Sequence, residues 1–125
     1  MTQRWAKFQT KIESEVNPIL AQAGYILRED GPNEDNNGFL YMYEKDSTHR
    51  ISIDVLKGMS VVAGSVKNFN CVRVEMTEGY LKALIGKATN TNIFLQQGWI
   101  WVSDEELDQC IEEISNGLKA YFETH

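Results

Sequence analysis

The amino-acid sequence predicts an α+β fold: a mainly antiparallel sheet of about five to seven strands, flanked by N- and C-terminal helices packed on one face. Three observations carry that prediction. Apolar residues recur at helical spacing before residue 24 and again after residue 103. Between those stretches they alternate with polar residues at the period of two that suits a half-buried strand. The strand-like segments are joined by short runs rich in Gly, Asn, Asp and Ser, the residues of tight turns. At 125 residues the chain is about one domain long, and it reads as a single domain over 1–125 with no internal repeat.

Taken in order, Trp5, Phe8, Ile12, Val16, Ile19, Leu20 and Ala23 fall close to one helical stripe. Pro18 lacks a backbone donor and crowds the turn before it. The first segment therefore reads as a kinked helix or two short ones, with Asn17 as a cap and an end near Gly24. Residues 25–29 read as a short strand and 30–38 as a turn-rich loop. Strands follow at 39–45 and at 49–57, where Ile51, Ile53 and Val55 alternate with Arg50, Ser52 and Asp54. Residues 59–66 read as a further strand in which Gly64 marks a bulge or a close approach, and 71–76 as another through Val72, Val74 and Met76. Thr77 is placed to cap a helix over 77–88 whose apolar residues are Tyr80, Leu81, Leu84, Ile85 and Ala88. NIFLQ at 92–96 and WIWV at 99–102 read as a hairpin joined by Gln97-Gly98. In the last helix Ser103 and Glu106 have capping-box spacing, and Val102 and Leu107 sit where a hydrophobic staple would. Leu107, Cys110, Ile111, Ile114, Leu118, Tyr121 and Phe122 form its buried stripe.

Charge is distributed unevenly. Residues 103–125 hold seven acids and one base, which is the whole net charge of −6, while the preceding 102 residues balance at eleven of each. Such an acidic chain with scattered bases argues against nonspecific nucleic-acid binding, which needs cations against phosphates. No apolar run approaches the roughly 20 residues that span a bilayer. The stretch MTQRWAKFQTKIESE is charged throughout, unlike a secretory signal. Cys71 and Cys110 lie far apart without metal-type spacing, which predicts free thiols in the cytoplasm.

The chemistry-bearing residues are few. Asn33, Asp35, Asn37, Gly38 and Glu44 match the spacing of a calcium loop, except that Asn stands where the first Asp belongs. The loss of that charge, the strand pattern after the glycine and the missing helix before it predict a polar turn and no metal or cofactor. His49 opens a strand and His125 ends the sequence, outside any metal or triad motif. Asp54 and Glu75 share a sheet face, and such a pair can do acid–base work; Arg50 and Arg73 beside them favour cross-strand ion pairs instead. An enzyme using Asp54, Glu75 or His49 is the third reading.

The aromatic residues carry more. Alternation sends Phe39, Tyr41 and Tyr43 to one face of their strand and Leu40 and Met42 to the other, and it likewise sets Trp99 and Trp101 opposite Ile100 and Val102. If the aliphatic faces meet the helices, Tyr41, Tyr43, Trp99 and Trp101 flank a polar strip of Arg50, Ser52, Asp54, Arg73 and Glu75 on the open face. That arrangement predicts a ligand or partner face, covered in a homodimer or by another protein. Glu105, Asp108 and Glu112 predict an acidic ridge along the last helix.

In size, charge and element order the chain resembles two groups of small acidic α+β proteins, toxin-immunity proteins and secretion chaperones. The resemblance implies a non-enzymatic binder of a protein partner, and it carries over no site residues. The function expected from the whole is a cytoplasmic protein-interaction domain that meets a basic partner through the acidic helix and the aromatic face. The second reading is a small-molecule binding domain with the aromatic face as its pocket wall.

Overall fold

The computed structural model of the chain describes residues 5–33, 38–62, 64–89 and 93–124. Helix α1 (Ala6–Lys11) runs through a π-helical turn (Ile12–Val16) into α2 (Asn17–Gln22). The strands are β1 (Ile26–Asn33), β2 (Gly38–Asp46), β3 (His49–Val62), β4 (Ser65–Met76), β5 (Gly79–Tyr80) and β6 (Gly98–Trp101). Strands β1 to β5 lie in sequence order across one antiparallel sheet, and β6 pairs with β4 beside β5. Two short helices, α3 (Leu81–Leu84) and α4 (Ile93–Gln97), precede β6, and α5 (Asp104–Thr124) completes the fold. The α+β class, the antiparallel sheet and the helices at both ends stand as predicted.

The kink at Pro18 has a definite form. Phe8, Ile12, Val16 and Leu20 are buried at intervals of four. In a straight α-helix each such step drifts by about 40° around the axis. The wider π turn over Ile12–Val16 takes up that drift, immediately before the proline that has no N–H to return. The helix closes at Gly24, whose φ of +94° allows Tyr25 N–H to reach the Leu20 carbonyl at 2.9 Å.

Helix α5 starts as its residues require. Glu106 N–H donates to Ser103 Oγ at 3.2 Å, and Ser103 N–H donates to Glu106 Oε1 at 3.1 Å, so two orphan donors of the first turn are satisfied reciprocally. Ser103→Ala is therefore expected to lower stability by about 1 kcal/mol. A shift in the urea midpoint at constant slope checks it, and an unchanged midpoint would make the cap incidental. Leu107 is buried as expected, whereas Val102 is exposed.

Four elements differ from expectation. Strand β1 runs on through residues 30–33, read as the start of a turn-rich loop, because those residues pair with residues 38–41 of β2. Residues 59–66 are not a separate strand: β3 and β4 form one long hairpin, paired from Ser52 with Glu75 to Val62 with Ser65. Gly64, at φ +80°, belongs to the link between them rather than to a bulge. The helix expected over 77–88 shrinks to α3, because the Thr77 hydroxyl is engaged elsewhere. It accepts Arg50 N–H at 3.2 Å and lies 3.3 Å from the Thr48 carbonyl, tying the β4 end to β3. The expected strand over 92–96 is helix α4 from Ile93, held where the Phe94 ring meets Phe69 edge-on at 5.1 Å.

The core lies between the helices and one face of the sheet. Trp5, Phe8, Ile12, Val16 and Leu20 meet Leu107, Cys110, Ile111, Ile114 and Leu118 of α5 above the inward side chains of the strands. Those inward residues are Phe39, Tyr41, Tyr43, Ile51, Ile53, Val55, Val72, Val74, Met76, Trp99 and Trp101. The aromatic rows thus face the helices.

Candidate functional site

The face of the sheet turned away from α5 is built by register. One row across it runs Gly31, Leu40, Asp54, Arg73, Gly98, and the next Glu29, Met42, Ser52, Glu75, Tyr80. Arg73 is its hub. Its Nε donates to Asp54 Oδ1 at 3.2 Å, its Nη2 to Oδ2, and its Nη1 to Gln97 Oε1 at 3.2 Å. Asp54 thereby holds Arg73 more firmly charged than a free guanidinium. With both Asp54 oxygens engaged, the Asp54–Glu75 pair does not form an acid–base couple, and Glu75 lies opposite Ser52, not Arg50. Arg50 instead shares Glu44 with Arg28. Leu40 and Met42 are half-buried beside these charges. The face is a salt-bridged platform with an apolar margin.

The predicted aromatic face is corrected here. Tyr41 is 1 %, Tyr43 3 %, Trp99 4 % and Trp101 5 % exposed, beneath the helices. Trp101 stacks on Phe8 at 5.9 Å and meets Trp5 edge-on at 6.4 Å, and Tyr41 lies 6.4 Å from Phe8. Burial raises both tyrosine hydroxyls above their ordinary titration range, and Tyr43 donates to Asn17 Oδ1 at the end of the π turn. The rows are core, so they do not form the expected exposed patch, although Trp101 lines a hollow of about 220 Å³ with Trp5, Phe8 and Asn70. Arg50, Asp54, Arg73 and Glu75 do lie on the open face, without the aromatics.

Sequence reasoning missed Gln97 and Lys82. Gln97 comes to Arg73 only because α4 is a helix lying against β4. Lys82 is 7 % exposed; its Nζ donates to the Gly98 carbonyl at 2.7 Å and lies 5.5 Å from the centre of the Trp99 ring. Burial pulls its pKa below the ordinary lysine value. No spacing rule exposes that contact, since Lys82 and Gly98 sit on different elements. Cys71 and Cys110 are free and buried, which pushes both thiols up to about 12. They are inert at neutral pH.

His49 bonds locally: its Nδ1 lies 2.9 Å from Asp46 Oδ1, and Asp46, which also accepts from Thr48, is held below the usual carboxylate range. Alternation on β3 puts His49 and Asp54 on opposite faces, five residues apart or about 17 Å along the strand. His49 therefore does not join Asp54 on the open face. His125 and the loop residues Asp35 and Asn37 lie outside the described residues, while Glu44 of the calcium-type spacing is held between its two arginines. Among the described residues no group of three or more His, Cys, Asp or Glu is arranged to hold a metal.

No protein-family model, curated protein or solved structure matches the chain. Among the described residues no helix is long and apolar enough to cross a membrane.

The acidic ridge lies where the sequence places it, on the outer side of α5, with Glu105, Asp108 and Glu112 exposed. Part of it is neutralised from α1: Lys11 meets Asp108 at 2.8 Å and Glu15 at 3.4 Å, and Lys7 meets Asp104 at 3.0 Å. Glu105 and Glu112 have no ion pair among the described residues.

Proposed function

We propose that this chain is a non-enzymatic cytoplasmic protein-interaction domain, an acidic binder of a basic partner in the manner of immunity proteins or secretion chaperones. The observation that carries the reading is α5. Its inner side is locked into the core by Leu107, Cys110, Ile111, Ile114 and Leu118, so its outer side holds Glu105 and Glu112 at fixed positions in water. Unpaired carboxylates carried on a fixed helix face steer a basic partner during encounter, and cations opposite them offset the cost of desolvating them. Two buried thiols without a disulfide support a reducing compartment.

Glu105→Lys with Glu112→Lys moves the net charge from −6 to −2 and leaves every buried position intact. The double variant is expected to associate several-fold more slowly with its partner, while wild-type affinity falls as salt rises. Stability should change by no more than about 1 kcal/mol, from the charge reversed near the helix start. Copurification at low salt compares the two proteins. Equal recovery of the same partner by both would remove the acidic face from recognition.

A further inference from the structure

A cleft of about 400 Å³ opens where the ends of α2 and α5 meet the β2–β3 turn end of the sheet. Its apolar side is Ile19, Ala23 and Phe122, which are partly buried against the core, and the Phe122 ring lies 5.7 Å from that of Tyr25. This side is therefore preformed. Its polar side is Gln22, Lys45, Lys119 and Glu123. Lys45 is the extra residue of a bulge in β2, and its methylene stem passes over Gly24, with Cε 3.4 Å from where a side chain there would begin.

The two lysines differ from the bases of the first helix and the open sheet face. Lys7, Lys11, Arg28, Arg50 and Arg73 each meet a carboxylate. Lys45 and Lys119 meet none within ion-pair distance among the described residues, although the chain as a whole carries six excess negative charges. Nor are they needed to close α2, whose last carbonyls already accept the N–H groups of Ala23, Gly24 and Tyr25. Two lysines against the single carboxylate of Glu123 leave a cleft of ligand size with a net positive polar side on an otherwise acidic chain.

We propose that this cleft binds a small amphipathic anion, with a carboxylate head between Lys45 and Lys119 and an aliphatic or aryl tail over Ile19, Ala23 and Phe122. The head gains charge-assisted hydrogen bonds, and the tail removes apolar surface from water. The site is separate from the acidic outer face of α5, and neither depends on the other.

Titration of the isotopically labelled protein with octanoate, followed by amide shifts, tests it, with octan-1-ol as the uncharged counterpart. Saturable shifts are expected at Ile19, Ala23 and Phe122, with affinity at least tenfold weaker for the alcohol. Lys45→Met with Lys119→Met should weaken octanoate at least tenfold and leave the rest of the spectrum in place. Absence of saturation, or equal binding of octanoate and octan-1-ol to the wild type, would overturn the proposal. Undiminished octanoate binding by a folded double variant would overturn it too.

Discussion

Trp101→Ala is expected to lower the free energy of unfolding by about 3–5 kcal/mol, the range for deleting a large aromatic side chain from a packed core. The ring is 5 % exposed, stacks on Phe8 and meets Trp5 edge-on, so its removal leaves a hollow that two rigid neighbours cannot fill. That loss is a large part of the roughly 5–15 kcal/mol that holds a domain of this kind folded. Trp101→Glu should be worse, because it sets an unpaired carboxylate among these rings. A surface tryptophan would give the opposite result, a folded subunit with either substitution. Urea unfolding followed by fluorescence decides between them. With Trp5 and Trp99 also buried, wild-type emission should be blue-shifted and poorly quenched by iodide. A folded Trp101→Glu protein of near wild-type stability would return the aromatic rows to the surface.

Leu118→Ala is expected to cost about 2–5 kcal/mol. Leu118 is fully buried on the inner side of α5, so truncation removes contacts from the helix and from the layer beneath it. The exposed Glu112→Ala on the same helix should stay within about 0.5 kcal/mol and serves as the control. If both substitutions moved the urea midpoint equally little, α5 would not be part of the core, and the rigid acidic face argued from it would fail with it.

Both predictions rest on features of different legibility. The inner stripe of α5 is written in its 3.6 periodicity, and Ser103 and Glu106 mark its start, because a cap and an amphipathic face are local properties. The same holds for the buried row of the first helix and for the stop at Gly24. Helix α4 was not legible. Five residues with a short apolar run satisfy strand and helix templates alike, and Phe69 decided between them from a distant strand. Nor was Gly98 legible as a packing residue. It reads as a turn glycine, yet it opens β6 where a side chain would strike the Val72 carbonyl of β4, and its own carbonyl accepts Lys82.

The face of the aromatic rows shows most plainly what only the tertiary structure decides. By itself the sequence determined that 39–45 and 49–57 are strands and that Tyr41, Tyr43 and Phe39 share a side. It did not determine which side. With Asp46 opposite His49 and no irregularity, Tyr41 would stand opposite Asp54 and Tyr43 opposite Ser52, on the wet face. The bulge at Lys45 inserts one residue, so Tyr41 pairs with Ile53 and Tyr43 with Ile51. Because side chains alternate with a period of two, that single slip transfers the whole aromatic row to the core. Alternation within a strand is a local steric property and is legible in the residues. The choice of face belongs to the helices and neighbouring strands that the rings must pack against, and it exists only once the chain has folded.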